Sequence, residues 1–585
     1  MSDLIYAVRG STGFSLKRGL GKPEQLAGEK LDPKEAHCRC FKFSNNGAYF
    51  SFCDSTRTAL IEASTGRECF SKDFGKTQAI LFSPKDKYMI TYEPYVIYGT
   101  RMNEDGTVKT PNPNLRFWEV PTGKLLATLI ADKQSVWKPY FTEDDSIAIR
   151  VKGSEILFYK NGNFALYFLL EKHSNKFVIK DIAQFSISPG LTPYMCCFIP
   201  AKNQPALIQL RSLNNDLDII YTKASFNCDR CVMNWNTKGS ALLVTASVDV
   251  DKSNQSYYGV SHIYCILTKD GGSCFQVPLD KEGPVHSVEW APNSKEFCVC
   301  YGFMPSKVTI FNMRGDIIWD IGQGHRNEVH YNPQSTILVT CGFGNISSGR
   351  MEFWNLATRK EISQFCVPHT THFGWAPDGQ HICTSTTAPR LRTDNGYRIW
   401  TYQGIKIDEY LYEKEELWEI KWRPSSAYSK FVIEEPSKEQ KEKNVRMGYS
   451  NSNSVIDNLP KGAVTTQGVY VPPHLRGKNL NNNQKGSGVG GGGKLTTNKK
   501  ESGGGGGNGN NLINNSSSSG QSTEIEKKIR SLQKKLDDIK NLKERLNEGK
   551  RLEINQMEKI KNEEKILLEI EKIKLIQNKE VEEEK

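Results

Sequence analysis

Along the first 430 residues, one arrangement of apolar and polar positions recurs nine times. A large apolar anchor is followed at once by a small or turn-forming pair, then by an alternating strand. The anchors are Phe43, Phe82, Phe141, Ile187, Trp235, Trp290, Tyr331, Trp375 and Trp422. Successive anchors stand 39, 59, 46, 48, 55, 41, 44 and 47 residues apart. A period of about 40 to 50 residues, with four short strands per unit, is the signature of β-propeller blades. In Trp375-Ala-Pro-Asp-Gly-Gln-His381 the proline fixes one φ and the glycine admits the positive φ that a tight turn needs. A third strand then ends on an aromatic, as at Trp118, Tyr159, Phe311, Trp354 and Trp400, before a second turn such as Pro121-Thr-Gly123. Those aromatics are predicted to pack blade against blade as core. The pattern therefore predicts an all-β fold over residues 1–432, a nine-bladed WD40-like β-propeller.

Departures from the repeat carry their own expectations. Residues 93–114 and 249–259 lengthen their blades and should project as loops, where a rigid scaffold tends to carry its binding surfaces. Leu4-Ile-Tyr-Ala-Val8 is expected to add a strand to the last blade and close the ring, which would remove an exposed sheet edge. After residue 432 the repeat stops. Residues 433–523 read as a polar, basic linker, rich in Asn, Gly and Ser from Lys478 onward. It buries too little apolar surface to offset its chain entropy and is expected to be disordered. Residues 524–580 return to strong helix formers, predicting an α-helical or coiled-coil segment. Ile525, Ile529, Leu532, Leu536, Ile539 and Leu546 form a heptad-like stripe that Ile566, Ile570 and Ile573 resume. Such a helix can pair with itself, fold back at Gly549 or dock on a partner; the sequence leaves the three open.

The formal charge of +11 is unevenly spread. Residues 461–523 hold seven basic residues, Lys461, Arg476, Lys478, Lys485, Lys494, Lys499 and Lys500, against one acid, Glu501. A flexible stretch of this kind suits a phosphate backbone, which makes the seven candidate RNA contacts. The bland alternative is that they keep a linker soluble. All fifteen cysteines lie between Cys38 and Cys383 at irregular spacings, the usage of buried thiols in a reducing compartment. Cys228 and Cys231 form a Cys-x-x-Cys, but only His262 stands nearby as a further ligand, so a zinc site is not expected. No apolar run approaches the ~20 residues that span a bilayer, and the start lacks the apolar core of a signal peptide. The chain reads as soluble and cytoplasmic, with no membrane partner.

Enzymatic motifs are absent. There is no His-Glu-x-x-His and no Gly-x-Ser-x-Gly. Gly488 to Lys494 mimics a phosphate loop, but Leu495 stands where a magnesium-binding Ser or Thr is required. His325, after Gly324, occupies the place where propeller repeats commonly carry a structural histidine. No catalytic residue, metal or cofactor is expected.

One linear motif stands out in the linker, Tyr470-Val-Pro-Pro-His-Leu-Arg476. Its prolines stiffen an extended peptide that displays Tyr470, His474 and Leu475. It resembles the Tyr-x-x-x-x-Leu-Φ peptides that dock on the cap-binding initiation factor, with Arg476 in place of the apolar Φ; otherwise it is a proline-rich piece of linker. Longer strings resemble one family. Val8-Arg-Gly-Ser-Thr-Gly13, Phe185-Ser-Ile-Ser-Pro-Gly190, Val248-Asp-Val-Asp-Lys252, Tyr301-Gly-Phe-Met-Pro305, Cys341-Gly-Phe-Gly-Asn345 and Met351-Glu-Phe-Trp-Asn355, in this order, are similar to the eukaryotic translation initiation factor 2A proteins. The likeness runs over residues 4–477. It implies a nine-bladed propeller that binds the small (40S) ribosomal subunit. It also implies delivery of initiator methionyl-tRNA in a codon-dependent, GTP-independent manner for a subset of mRNAs. The C-terminal region would contact mRNA and other translation initiation factors. Two other readings are a WD-repeat scaffold without direct tRNA binding, and the propeller-bearing b subunit of initiation factor 3. The latter carries an RNA-recognition domain for which there is no room before the repeats begin near residue 40.

Overall fold

The structure, a computed structural model, describes residues 3–456 apart from 29–36, 97–111, 132–136, 165–176, 249–260 and a few shorter breaks, together with isolated positions between 536 and 567. Two compact units emerge, Met1–Gln467 and Gly468–Lys585. The first contains nine antiparallel sheets of four strands each. In eight of them the four strands follow one another along the chain and pair with their sequence neighbours. The ninth is composite. Leu417–Trp422 pairs with Ile5–Gly10, which continues into Gly13–Arg18 and Glu24–Ala27. The N-terminal segment therefore closes the ring, as its apolar run suggested, but with three strands rather than one. Tyr6 stands opposite Trp422 and Gly10 opposite Leu417. Joining first and last blades within one sheet hides the edges that an open ring would expose.

Every one of the nine anchors is the last residue of the first strand of its sheet. First strands of successive blades lie side by side, Cys40–Phe43 by Ala79–Phe82 and Val285–Trp290 by Glu328–Tyr331, which makes them the innermost strands. Three of the four tryptophan anchors bond across blades; the indole nitrogen of Trp375 is buried without a hydrogen-bond partner among the described residues. The indole of Trp235 donates to Ser186 Oγ at 2.9 Å, that of Trp290 to Asn234 O at 2.8 Å, and that of Trp422 to Gly374 O at 3.2 Å. Each acceptor is the residue just before the preceding anchor. The third-strand tryptophans bond within their own blades instead: Trp118, Trp354 and Trp400 each donate to a second-strand threonine, Thr91, Thr340 and Thr384, at 3.0–3.1 Å. Burying an aromatic of this size contributes roughly 2–3 kcal/mol, and the indole bond removes the penalty of an unmet donor.

The turn after each anchor has a fixed form. Four residues past seven of the anchors stands a residue with positive φ: Gly47, Asp86, Asp145, Gly239, Ser294, Ser335 and Gly379, at φ between 54° and 74°. Its amide donates to the carbonyl of the residue just after the anchor, as from Asp86 N to Ser83 O at 2.8 Å. The same residue ties its turn to the preceding blade. Asp86 accepts from the amides of Asn45 and Asn46 at 2.7 and 2.8 Å, and Asp145 accepts from Ser83 Oγ at 2.6 Å. At Gly239 no side chain fits, because a Cβ would lie 1.9 Å from Pro189 O.

Residues 433–456, read from the sequence as the start of the linker, are a strap and a helix, α1 (Lys438–Ile456). Phe431, Ile433 and Met447 pack on the cluster that contains Ile337, Phe353, Phe365 and Trp400. Ser437 caps α1, accepting from Gln440 N at 3.2 Å. Gln440 then donates to Gly404 O at 3.0 Å and Asn444 to Gln403 O at 2.8 Å. The docked face is thus Gln440, Asn444 and Met447, spaced i, i+4, i+7, with amides in two of three places. A helix that docks through amides leaves no apolar stripe to read.

In the second unit Ile539 is buried, and Lys543 pairs with Glu563.

Candidate nucleic-acid interface

The linker residues singled out by the sequence, Lys461, Tyr470, His474, Leu475, Arg476, Lys478, Lys485, Lys494, Lys499 and Lys500, all lie outside the described residues. The described surface is that of the propeller, and strand alternation gives it two faces. The turn face carries the connections from first to second and from third to fourth strands. The loop face carries those from second to third strands and from each blade to the next. Both lengthened segments leave from the loop face, between Tyr92 and Leu115 and between Ser247 and Ser261. Residues 97–111 and 249–260 within them are outside the described residues.

On the loop face, charges neutralise one another. Arg57 bridges Asp54 at 3.3 Å and Glu68 at 2.7 Å. Arg9 pairs with Glu419 at 3.3 Å and donates to the carbonyls of Cys38 and Arg39. Lys307 sits between Asp280 and Asp320 at 2.5 and 2.9 Å, and Arg392 meets Glu416 at 2.6 Å. Deepest is Arg326, whose Nε lies 2.6 Å from Glu352, both side chains below 10% exposed. Thr340 also donates to Glu352, and the Arg326 guanidinium lies 5.6 Å from the Trp354 ring centroid. The structural role expected of His325 therefore falls to its neighbour; His325 itself is exposed. From the Phe82 blade through the Tyr331 blade, the exposed charges described on this face nearly balance. Lys76, Lys138, Lys152, Arg230 and Arg350 stand against Asp73, Asp181, Asp229, Asp280, Glu282 and Asp320, which leaves −1.

The turn face over the same blades differs. Its first-to-second turns expose Lys85, Lys87, Lys238 and Lys295. Its third-to-fourth turns expose Lys124, Lys160, Lys269, Arg314, Arg359 and Lys360. Among the described residues, four exposed acids, Asp144, Asp218, Asp316 and Glu361, stand against these ten, which leaves +6. Among the described residues none of Lys85, Lys87, Lys124, Lys238, Lys269 and Lys295 is held in an ion pair. Sequence reading missed this surface because turns on the same face are separated by whole strand pairs along the chain. Its one legible trace was a lysine within five residues of an anchor, at Lys85, Lys238 and Lys295.

Near the axis, the first strands of four blades bring titratable groups together. His330 lies 3.2 Å from both Glu289 and Glu328 and stacks on Phe373 with centroids 5.0 Å apart. Burial opposes its charging, but the two carboxylates prevail and raise it to about 9. His372 is held down to about 4, by burial first and then by Lys421 and His330; Lys421 Nζ lies 3.4 Å from its Nε2. The cluster is internally satisfied and reads as structure. Cys228 and Cys231 are also core. They pack with Cys196, Leu210 and Ile266, and burial pushes the Cys231 thiol up to about 12. Among the described residues no group of three His, Cys, Asp or Glu is placed to hold a metal ion.

A closed ring of nine four-stranded blades, with one nearly neutral face and one basic face, defines a β-propeller protein of the recognition class. Comparison with known proteins takes this further. The family described as "Eukaryotic translation initiation factor eIF2A" matches residues 223–420, and "Eukaryotic translation initiation factor 2A C-terminal domain" matches residues 527–573. Eukaryotic translation initiation factor 2A of Caenorhabditis elegans is 41% identical over 576 residues, covering 98% of this chain and 99% of that protein. Its Drosophila melanogaster counterpart is 30% identical over 661 residues, covering 98% and 99%. A solved structure titled "Crystal structure of the eukaryotic initiation factor" superposes with a TM-score of 0.63 at 28% identity, covering 73% of this chain and all of that one. The chain belongs to the eukaryotic translation initiation factor 2A family and is a translation initiation factor. Among the described residues, no helix is long and apolar enough to cross a membrane.

Proposed function

We propose that this chain works in the cytoplasm, binds the small (40S) ribosomal subunit and directs initiator methionyl-tRNA to it. Delivery is codon-dependent, needs no GTP hydrolysis by the chain, and serves a subset of mRNAs. The observation that carries this reading is the near-complete alignment with eukaryotic translation initiation factor 2A proteins, from the propeller through the C-terminal domain. The division of labour follows composition. The propeller is the ribosome-facing scaffold, residues 433–523 beyond α1 supply positive charge, and residues 524–580 engage mRNA and other translation initiation factors. The test is co-sedimentation of purified full-length protein with 40S subunits, with and without initiator methionyl-tRNA and an AUG-containing RNA. Codon-dependent retention of the tRNA supports the reading. Sedimentation of the protein without any tRNA retention would leave a scaffold that does not bind tRNA. Loss of residues 461–585 is expected to weaken RNA binding through the seven basic linker positions. Tyr470→Ala with Leu475→Ala is expected to abolish capture by the cap-binding factor.

A further inference from the structure

The two faces differ in a way that folding does not require. Ion pairs that stabilise the ring, such as Arg326 with Glu352 and Arg9 with Glu419, lie on the loop face or close to it. Lys85, Lys87, Lys124, Lys238, Lys269 and Lys295 on the turn face stabilise nothing visible, being exposed and without ion-pair partners among the described residues. Several of them stand on tightly hydrogen-bonded turns. Lys85 and Lys87 flank Asp86, whose carboxylate is bonded to the neighbouring blade, while Lys238 and Lys295 adjoin Gly239 and Ser294, the fixed positive-φ positions of their turns. Rigid placement matters because a fixed cation loses little entropy on meeting an anion. A mobile surface lysine forfeits most of what it gains.

The surplus is also local. On the Phe43 blade the third-to-fourth turn carries Arg67, which is paired with Glu62, and on the Trp375 blade Lys406 is paired with Glu409 at 2.6 Å. The unpaired cations thus form an arc over the consecutive Trp235, Trp290 and Tyr331 blades, with Lys85, Lys87 and Lys124 as a separate group on the Phe82 blade, rather than a full ring. The strap and α1 lie on this same face, since Gln440 and Asn444 bond the Gln403-Gly404 turn and Lys430, Phe431 and Ile433 border the Asn355-Leu356-Ala357 turn. The chain leading to the basic linker is therefore fastened beside the arc.

From these observations we infer that the turn-face arc is an RNA-docking surface that grips phosphates of folded RNA by charge. It resolves the proposed ribosome binding to one face and to ribosomal RNA, and it rests on that reading. Lysines and arginines spaced by whole blades, with few exposed aromatics among them, suit a phosphate backbone rather than base edges or stacked single strands. Binding there is steeply salt-dependent and indifferent to sequence.

The experiment compares three forms of the full chain for binding to salt-washed 40S subunits across a salt series. One is intact. One carries Lys85→Gln, Lys87→Gln, Lys238→Gln, Lys269→Gln and Lys295→Gln. The control carries Lys138→Gln, Lys152→Gln and Lys414→Gln on the loop face. Thermal midpoints of all three establish that the ring is intact. The turn-face variant is expected to bind at least tenfold more weakly. Its slope of log affinity against log salt should be shallower by up to about 3.5 to 4.5, since each phosphate no longer neutralised removes roughly 0.7–0.9 from the slope. The control should match the intact chain. Intact-strength binding by the turn-face variant would overturn the arc assignment and leave ribosome binding standing. Weaker binding with an unchanged salt slope would overturn the RNA assignment and indicate an acidic ribosomal protein instead. Failure of the intact chain to bind 40S subunits would overturn the underlying functional reading, and the arc with it.

Discussion

The loop face and the turn face are built from the same blades and the same strand ends, yet they use charge in opposite ways. Loop-face cations sit between carboxylates, often with a backbone carbonyl or an aromatic ring completing the contact, as Arg9 does with Glu419, Cys38 O and Trp418. Turn-face Lys85, Lys87, Lys124, Lys238, Lys269 and Lys295 sit on short turns with no ion-pair partner among the described residues. A paired charge contributes to stability and is silent to partners; an unpaired one on a rigid turn costs little and remains available. The difference teaches that the informative charges on a propeller are those its own fold leaves alone.

The largest test of the comparison removes the ring itself. Deleting residues 1–28 takes three of four strands from the closing sheet. Loss of a single cooperative thermal transition and a shift to aggregates on size exclusion are expected; an unchanged midpoint would break the comparison at its base. Next is a single loop-face change. Arg326→Ala leaves buried Glu352 with only Arg350, at 3.0 Å, and Thr340 as partners, and should cost about 2–3 kcal/mol in denaturant unfolding. A loss below about 1 kcal/mol would mean that loop-face pairing is ornamental.

A third test uses pH and involves neither face. The folded state holds His330 charged up to about pH 9, so its contribution is complete below the unfolded value near 6.5 and is lost as pH rises toward 9. His372 works in reverse. Its folded value near 4 means stability is lost as pH falls from about 6.5 toward 4. Together they place a stability maximum near pH 6.5, with limbs on the order of 1–3 kcal/mol. His330→Gln should flatten the alkaline limb and His372→Gln the acid one, read from thermal midpoints across pH; limbs that survive both changes would assign the dependence elsewhere. Smallest is Lys295→Gln, expected to change stability by no more than about 0.5 kcal/mol. A larger loss would show that turn-face lysines also serve the fold.

The blade count was legible because an anchor must be large and apolar to fill the inner strand's end, and such residues are sparse enough for their period to stand out. The closing sheet was half legible. Ile5–Gly10 has the apolar run of a buried strand, with Leu4 before it, but Gly13–Arg18 and Glu24–Ala27 precede the first anchor and carry no repeat phrase. Helix α1 was hidden by its amide-based docking through Gln440 and Asn444. The buried arginine was misplaced by one residue, since Gly324-His325-Arg326 offers two polar candidates and only packing chooses between them. The basic face was illegible for a topological reason. Lys87, Lys124 and Lys238 are far apart along the chain and share a face only because every second connection of an antiparallel blade returns to the same side.

The most direct measurement of the central claim is site-specific photo-crosslinking of full-length protein to 40S subunits, with a benzophenone side chain placed at Lys87 or Lys295 on the turn face and at Lys138 or Lys152 on the loop face. Crosslinks to ribosomal RNA from positions 87 and 295, and none from 138 or 152, are the expected result. Ribosomal RNA crosslinks from 138 and 152 alone would contradict it.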